Sequence, residues 1–391
     1  MSRPRVALCF PHLVPGGGGE SPTLWAVEAL KHDYEVTLIG EGRISLPKLN
    51  ACYGTRIGPG EVRVVEIPMP GPFLCSFAAF RGAILNRYCL KHASEYDLMV
   101  SMYNVLDFGR KGIQFIADFS FHAPLREALH GLPAGRKRWL YKPSPFRTAY
   151  IAFNNLLGGT TFEGWRRNTT VSNSHWTRGV MKRTFGISSE VIYPPVLVDR
   201  PPRPWAEKEI GFVYLGRLSY EKRVEQIIDI LSCVRTRHPE VHLHVVGGAH
   251  HSYLRSLEPL FRRHRDWIHY EGRKFMEEKV AIIDRHRYGI SACAYEAFGI
   301  AVAEMTHVGN LVFVPDGCCQ VEIVDHPDLI YRDRKDACAK IIRVLDSPEK
   351  QEALRRHVLS WNGRFSPRRF MREVRELVQR FFAENPPPSA D

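Results

Sequence analysis

The sequence predicts an α/β protein built from two doubly wound parallel-sheet domains. The chain has 391 residues, which exceeds the ~100 to 200 residues of one ordinary domain. Short apolar runs typical of buried strands alternate with stretches of helical periodicity. This alternation occurs twice, before and after a proline-rich, charged connector at residues 196–209. Strands that alternate with helices predict a parallel sheet covered on both faces.

The first series opens with a strand at residues 5–10, a glycine-rich turn, a helix and a second strand at residues 34–40. This is the pattern of a βαβ unit. Further strand and helix patterns follow in the order VRVVEIP, FRGAILNRYCLKHA, DLMVSMY, IQFIADF, NTTVSNS and EVIYPPV. We expect the last two segments to be the final strands of the first domain.

The second series begins after the connector and repeats the alternation. Its strands are predicted at GFVYLGR, VHLHVVGG, WIHYEG, GISACAY and LVFVPD, with helices between them. Near the end, Ser366 and Pro367 have the N-cap and first-turn positions of a last helix. We therefore predict domains at 1–196 and 197–365, and a terminal helix with a disordered tail at 366–391. We expect the terminal helix to pack on the first domain.

Composition excludes several classes of protein. The sequence has no run of 18 apolar residues and no signal-peptide pattern, so we expect a cytoplasmic protein. Nine cysteines without a CxxC pair favour reduced thiols over a disulfide framework or a zinc site. No pattern of metal ligands is evident, so we predict no metal.

The net charge of +12 is concentrated in one stretch. Residues 128–189 contain ten Lys and Arg residues but one acidic residue, and aromatic residues are interleaved with them. This mixture fits peripheral contact with the inner membrane face through residues 136–185, or binding of a phosphate-bearing acceptor. Basic solvated helix faces are the alternative interpretation. No nucleic-acid-binding motif accompanies the charge, so we expect no nucleic acid partner.

The segment YEAFGIAVAEM places Glu296 and Glu304 eight positions apart in an otherwise apolar stretch. The pattern predicts a strand, a loop and then a helix that starts near Gly299. Ligands bind beyond the carboxyl ends of strands in such sheets. Free amides near Phe298, Gly299 and Ile300 would offer an anion site. The two carboxylates are too far apart to share a proton, so we expect them to contact different parts of an extended ligand.

A second candidate site follows the first strand of the second series, in GFVYLGRLSYEKRVEQ. Gly216 ends the strand, and Arg217 and Lys222 lie on either side of a short turn before a helix. A guanidinium and an ammonium near a helix N-terminus suit a pyrophosphate group. Either residue alone would be read as a solvated loop residue.

The segments GRLSYEKRVEQ, LHVVGG, YEAFGIAVAE and VEIV, in this order, resemble the nucleotide-sugar half of family 4 of the glycosyltransferases. NTTVSNSHWTRGVMKR followed by VIYPPV is similar to the end of that family's first domain, notably in the branch that includes the lipid-linked oligosaccharide mannosyltransferases. The resemblance covers about residues 5 to 325. It implies the GT-B fold, in which an acceptor-side and a nucleotide-sugar-binding Rossmann-like domain face a cleft.

The resemblance also implies roles for individual residues. Arg217 and Lys222 would hold the diphosphate of a nucleoside-diphosphate-sugar, Glu304 the ribose, and Glu296 the donor sugar. Transfer would retain the anomeric configuration and need neither a metal nor a cofactor beyond this co-substrate. Further substrate contacts are expected at Gly16, Gly17, Gly18, Gly19, Gly216, Phe298, Gly299, Ile300 and Glu322.

Some positions depart from the family pattern. Asp118, followed by Phe119, stands where the family has His, and we keep it as a catalytic candidate because a carboxylate can accept a sugar hydroxyl. The other departures are Ala292 and Cys293 for Pro-Ser, Ala297 for His, and Cys318 and Cys319 for paired glycines. The change at Ala297 removes the reason to predict mannose.

The favoured function is a retaining hexosyltransferase in which the departing phosphate assists attack on the same face of the sugar. The acceptor is expected to be lipid-linked or otherwise anionic. The alternatives are another GT-B enzyme, such as an epimerase or a phosphorylase, and a protein that binds nucleotide-sugar without catalysis.

Overall fold

The computed structural model describes residues 3–69, 78–130, 144–198 and 200–386. The chain divides into two compact units. Unit 1 comprises Met1–Pro195 and Pro367–Asp391, and unit 2 comprises Val196–Ser366. Each unit is built on one parallel sheet, as the alternating pattern of the sequence predicted. The Rossmann-like character of both domains is therefore confirmed.

The sheet of unit 1 has seven parallel strands in the order β3-β2-β1-β4-β5-β6-β7. Strand β1, in the interior of the sheet, pairs with β2 through Val6 and Val36 and with β4 through Val6 and Leu98. The strands are β1 Arg5–Phe10, β2 Glu35–Glu41, β3 Arg63–Ile67, β4 Leu98–Ser101, β5 Ile113–Ile116, β6 Thr169–Ser172 and β7 Glu190–Val191. The helices are α1 Glu20–Leu30, α2 Leu46–Tyr53, α3 Ala78–His92, α4 Ala123–His130, α5 Pro145–Gly158, α6 Phe162–Arg166 and α7 His175–Phe185.

The last predicted strand of unit 1 is shorter than expected. Only Glu190–Val191 of the EVIYPPV segment pairs with β6. Pro194 and Pro195 follow, and proline has no backbone N–H to donate to a neighbouring strand. The chain therefore leaves the sheet before the proline pair.

The sheet of unit 2 has six strands in the order β10-β9-β8-β11-β12-β13. All of its pairings are parallel. The strands are β8 Glu209–Leu215, β9 His242–Val246, β10 Ile268–Gly272, β11 His286–Ile290, β12 Leu311–Pro315 and β13 Ile330–Tyr331. The helices are α8 Val224–Val234, α9 His251–Arg263, α10 Met276–Arg285, α11 Ile300–His307, α12 Gln320–Val324, α13 Arg334–Leu345 and α14 Pro348–Ser360.

The C-terminal helix α15, Pro367–Glu384, belongs to unit 1. It packs against α1, and its buried apolar residues recur at helical spacing. These residues join the core formed by α1, β1 and β2, and they are Phe370, Val374, Leu377, Val378 and Phe381. The expectation that the terminal helix packs on the first domain is confirmed.

The prediction that the cysteines are reduced thiols is wrong for one pair. Cys233 in α8 and Cys338 in α13 form a disulfide across a sequence separation of 105 residues. The two helices pack side by side, a proximity that the spacing of cysteines along the sequence does not reveal. The free cysteines among the described residues are Cys9, Cys52, Cys89, Cys293, Cys318 and Cys319.

In the part of the chain that the structure describes, no helix combines the length and apolar character needed to cross a bilayer.

Candidate functional site

The candidate site of unit 2 lies where its strands end, and we call Lys222, Glu296, Gly299 and Glu304 the edge site. Just beyond the ends of β8 and β9, the backbones of Gly216 and Gly247 approach each other closely. A Cβ on Gly247 would lie 1.9 Å from the carbonyl oxygen of Gly216. The amide of Gly216 also donates to the carbonyl of Val246 at 3.0 Å. This close approach explains why both strand ends carry glycine.

Lys222 closes a short 3-10 turn, Tyr220–Lys222, between β8 and α8. Arg223 follows with φ of 50°, which redirects the chain into the helix. The Lys222 Nζ forms an ion pair with the carboxylate of Glu296 and lies 3.8 Å from Cys293 Sγ. Burial alone would lower the pKa of Lys222, but the Glu296 carboxylate raises it above its usual value. The ammonium is therefore fully charged at neutral pH.

Arg217, the second predicted cation, is 64% exposed. Its guanidinium Nη2 lies 3.4 Å from Glu221 Oε1, while its backbone carbonyl accepts the Tyr214 hydroxyl at 3.0 Å. The backbone at Arg217 is thus anchored and the side chain reaches into solvent. The structure places Arg217 and Lys222 on the same turn region but gives them different carboxylate partners.

Helix α11 begins where the sequence predicted. Gly299 is its N-cap with φ of 104°, in the left-handed region that favours glycine. A Cβ there would lie 3.0 Å from Gln320 Cγ. Phe298 is buried, and no side-chain cap from the described part of the chain bonds to the first turn, which begins at Ile300. The uncapped amides and the helix dipole give this turn the chemistry of an anion site.

Cys319 holds the loop before α11 in place. Its sulfur lies 2.6 Å from the backbone carbonyl oxygens of both Glu296 and Phe298, so the single thiol proton is shared between the two acceptors. Burial raises the pKa of Cys319 well above its usual value, so the thiol keeps its proton. The resemblance predicted a glycine at this position. The cysteine instead ties the start of α12 to the loop that carries Glu296. Glu322 lies in α12, and its carbonyl accepts from Arg364 at 2.7 Å.

Glu304, one turn into α11, has a cation of its own. Its Oε1 lies 2.5 Å from Lys279 Nζ, and the carboxylate side chain is 13% exposed. Lys279 belongs to α10, and its role was not predicted from the sequence. The two glutamates of the edge site are therefore balanced by separate lysines, Lys222 for Glu296 and Lys279 for Glu304. Each pair is electrically neutral before any ligand binds.

The glycine-rich turn of unit 1 is held by a tyrosine that the sequence analysis missed. The Tyr53 hydroxyl accepts from the amide of Gly16 at 3.0 Å and donates to the carbonyl of Gly17 at 2.9 Å. A Cβ on Gly17 would lie 2.4 Å from Glu20 Oε2, so the turn folds directly over that carboxylate. Burial raises the pKa of Glu20. Gly18 is exposed, and Gly19 is the N-cap of α1.

Asp118, just beyond β5, is the centre of a hydrogen-bond network. Its carboxylate accepts from the Tyr103 hydroxyl at 2.7 Å, Asn104 Nδ2 at 2.8 Å and the amide of Ser120 at 2.8 Å. Three donors therefore occupy the carboxylate. The arrangement fixes the loops at the carboxyl ends of β4 and β5. Within unit 1, the Tyr103 ring packs on Phe10 at the end of β1, with centroids 5.3 Å apart.

The basic, aromatic stretch lies only partly within the described residues. Residues 131–143, which carry several of its cations, are outside them. In α5, Phe146 is 88% exposed and Leu156 is 79% exposed. The exposed large apolar side chains of this region are Phe146, Phe153, Leu156, Leu157 and Phe162.

A comparison of the sequence with known families finds a match within unit 2. Residues 198–360 match the family model described as glycosyl transferases group 1. Unit 2 therefore resembles a group 1 glycosyltransferase domain. The match spans nearly all of Val196–Ser366 and includes every residue of the edge site. No curated protein sequence matches the chain.

Solved structures resemble both units of this glycosyltransferase. WaaG, a glycosyltransferase of lipopolysaccharide biosynthesis, is 15% identical with a TM-score of 0.70, over 94% of this chain and 99% of WaaG. Sucrose-phosphate synthase from Thermosynechococcus elongatus is 14% identical with a TM-score of 0.73, over 98% and 100% of the chains. Anabaena HepE, in complex with UDP and glucose, is 13% identical with a TM-score of 0.69, over 96% and 100%.

These likenesses confirm the predicted GT-B fold, and the domain match confirms the prediction of a glycosyltransferase. The finer predictions, which are membership of family 4, its mannosyltransferase branch and the roles of individual residues, stay predictions.

Proposed function

We propose that this protein transfers a hexose-type sugar from a nucleoside-diphosphate-sugar to an acceptor hydroxyl with retention of anomeric configuration. The observation that carries the proposal is the ion pair between Lys222 and Glu296, at the strand ends of a group 1 glycosyltransferase domain. This pair supports the proposal because a cation that could bind a diphosphate and a carboxylate that could accept from sugar hydroxyls lie side by side, close in sequence to the start of α11.

Donor binding would divide this ion pair between two parts of one ligand. The Lys222 ammonium would turn to the diphosphate, joined by the exposed guanidinium of Arg217 and the first amides of α11. Glu296 would then accept hydrogen bonds from the sugar hydroxyls. Glu304, paired with Lys279, would accept from the ribose hydroxyls. In this arrangement the Lys222 cation would face the phosphate charge, and the carboxylates of Glu296 and Glu304 would accept hydrogen bonds from donor hydroxyls.

The chemical step breaks the bond between the sugar C1 and the diphosphate oxygen. The acceptor oxygen forms its bond to C1 on the same face, and the acceptor proton passes to the departing phosphate oxygen. Negative charge grows on the diphosphate as the bond breaks, so Lys222, Arg217 and the α11 amides would stabilise the transition state more than the ground state. No metal takes part in this scheme.

The ligands of similar structures guide the choice of donor. HepE was solved with UDP-glucose, and a similar structure from Escherichia coli was solved with UDP-2-fluoro glucose. UDP-hexoses are therefore the first donors to test. The experiment is a panel of UDP-, GDP-, ADP- and dTDP-sugars, incubated with EDTA and with soluble or lipid-linked acceptors.

One donor should release its nucleoside diphosphate, and NMR of the product should show the anomeric configuration of the donor. Inversion would overturn the retaining mechanism. Saturable binding of a sugar nucleotide without release would favour the non-catalytic alternative. Failure to bind any member of the panel would overturn the proposed function.

We also propose that α5 and α6 contact an anionic membrane surface that presents the acceptor. Exposed Phe146 and Leu156 would enter the headgroup layer, and the exposed Arg166 and Arg167 would face acidic lipids. Vesicles containing phosphatidylserine should co-sediment the protein more than phosphatidylcholine vesicles do. The double variant Phe146→Ser with Leu156→Ser should lose this binding, whereas Phe275→Ser, an exposed aromatic in unit 2, should keep it. Equal sedimentation of all three proteins would contradict the proposal.

A further inference from the structure

Three histidines meet at the opposite end of the unit 2 sheet from the edge site, where the parallel strands begin. His242 and His244 lie on β9, and His286 is the first residue of β11. One ring nitrogen from each lies within 4.8 Å of the others. Among the described residues, this is the only group of three or more His, Cys, Asp or Glu side chains placed to hold a metal ion.

We propose that His242, His244 and His286 form a zinc site that ties together the beginnings of β8, β9 and β11. The proposal is independent of the sugar-transfer function, because the histidines lie where the strands begin and the edge site lies where the strands end. It concerns a structural ion, not a metal that takes part in transfer.

His286 gives the strongest evidence. Its side chain is 0% exposed. Its Nδ1 lies 2.7 Å from the backbone carbonyl of Ile282, which can only accept, so Nδ1 carries the proton. The other ring nitrogen, Nε2, therefore presents a lone pair. This atom is buried and has no hydrogen-bond partner among the described residues. A buried polar atom without a partner costs stability, and a bound cation would satisfy it.

His244 is oriented in the same way. Its Nδ1 lies 2.7 Å from the carboxylate oxygen Oε1 of Glu271, so the opposite nitrogen is left for a ligand. Metal-binding histidines commonly donate one ring N–H to a carboxylate or a backbone carbonyl, which fixes the tautomer and the ring orientation. His244 and His286 each show one of these two arrangements, and their ring centroids are 4.4 Å apart.

The third imidazole depends on a glycine in the strand between β9 and β11. Gly211 of β8 pairs with His242, and a Cβ on Gly211 would lie 2.2 Å from His242 Nε2. Without a side chain at Gly211, the ring of His242 lies across β8 and its centroid is 5.2 Å from that of His286. Glycine is unfavourable inside a strand, and here it makes the room in which the histidines meet.

Glu209, the first residue of β8, supplies a fourth ligand. Its Oε2 lies 3.4 Å from His242 Nε2 and 3.6 Å from His286 Nε2. Its Oε1 is 3.4 Å from Arg285 Nε, so the carboxylate has a competing cation at the rim. Three imidazoles and one carboxylate suit Zn²⁺, which binds nitrogen and oxygen in tetrahedral geometry with bonds of ~2.0 to 2.2 Å. The rings would have to draw inward by about 1 Å to reach this geometry.

The test titrates the full-length chain, first stripped with EDTA, with Zn²⁺ in competition with a chromogenic chelator. The wild-type protein should bind one equivalent at the histidine site. His242→Ala and His244→Ala should each weaken this binding by about tenfold or more. The matched control is His269→Ala, which removes an exposed imidazole from the neighbouring strand β10. The control should bind as the wild type does.

The cysteines of the chain could also take up zinc. The histidine variants distinguish zinc bound at cysteines from zinc bound at the histidine site. If wild type, His242→Ala and His244→Ala bind zinc equally, the proposal is overturned. It is also overturned if the wild type takes up no equivalent of zinc. Co²⁺ provides a second readout, because a tetrahedral nitrogen and oxygen site gives visible absorption that the two variants should lose and His269→Ala should retain. Circular dichroism of each variant confirms that it is folded.

Discussion

Lys222 and Glu296 are 74 residues apart in sequence and form an ion pair at the carboxyl edge of the unit 2 sheet. The two residues come from the loops after β8 and β11, which are neighbouring strands. The Lys222 ammonium is half-buried, and the Glu296 carboxylate ensures that its charge is not left unpaired. A ligand that carries both a diphosphate and hydroxyl groups can replace this pair with two new interactions.

Lys222→Ala should lower kcat/KM for sugar transfer by about 10²- to 10³-fold, the usual effect of removing one group that stabilises developing negative charge. Nucleoside diphosphate release measures the rate. Lys222→Arg should recover part of the activity, because it restores the cation with a different shape. The matched control is Lys335→Ala, which removes an exposed lysine of α13. Transfer within threefold of wild type in Lys222→Ala would contradict the assignment.

The thiol of Cys319 should be replaceable by a hydroxyl but not by a methyl group. Cys319→Ala leaves the carbonyls of Glu296 and Phe298 without this donor, and should cost about 1 to 3 kcal/mol of unfolding free energy. Cys319→Ser keeps a donor at hydrogen-bonding distance and should lose less. The KM for the donor should rise in Cys319→Ala because the loop carrying Glu296 is loosened. Urea titration and donor kinetics measure the two effects. Equal stability of Cys319→Ala and Cys319→Ser would argue against a hydrogen bond from the thiol.

The sequence predicted those parts of the structure that depend on local patterns. Alternating apolar runs predicted the parallel strands, and the pattern of YEAFGIAVAE predicted a helix start near Gly299, which is the N-cap of α11. Proline and glycine positions fix backbone geometry locally, so the turn after Gly216 and the terminal helix were also predictable. By contrast, eight helices among the described residues were not identified, and they are α2, α4, α5, α6, α7, α12, α13 and α14.

The missed residues of the candidate sites are partners whose contacts are long-range. Tyr53 reaches Gly16 across 37 residues, and Lys279 reaches Glu304 across 25. Neither residue lies in a recognisable motif. The role of each residue depends on how its helix packs in the folded chain, and the local sequence does not reveal that packing. The disulfide and the histidine cluster were missed for the same reason. Asp118 was selected as a catalytic candidate, and its carboxylate accepts three hydrogen bonds within its own unit; its catalytic role stays a prediction.

The disulfide between Cys233 and Cys338 should contribute strongly to the stability of unit 2. A cross-link that closes a loop of 105 residues restricts the unfolded chain by about 4 to 5 kcal/mol in the chain-entropy model. A reducing agent should therefore lower the melting temperature of the wild-type protein. The double variant Cys233→Ser with Cys338→Ser should melt lower and respond no further to reductant. A wild-type melting temperature that is the same with and without reductant would show that the bond is not formed in solution.

Lys208 is 0% exposed and should make the stability of unit 2 depend on pH in the alkaline range. Its Nζ donates to Asp284 at 3.2 Å, the carbonyl of Val308 at 3.0 Å and Asn310 at 3.1 Å. Burial lowers the pKa of Lys208 to about 8, although Asp284 opposes the change. The unfolded chain, with the ordinary lysine pKa of 10.5, therefore binds more protons than the folded chain between pH 8 and 10.5.

In that window the contribution of Lys208 to the unfolding free energy should rise with pH by about 1.4 kcal/mol per unit, and it should be constant below pH 8. Other groups titrate in the same range, so the comparison is with Lys208→Met, whose unfolding free energy is measured by urea titration at pH 7, 8, 9 and 10. The stability of wild type relative to this variant should increase by about 2 to 3 kcal/mol between pH 8 and 10. Lys335→Met, which removes an exposed lysine, should follow the wild-type curve. Parallel curves for wild type and Lys208→Met would mean that the buried ammonium keeps its proton throughout, held by Asp284 and the two oxygen acceptors.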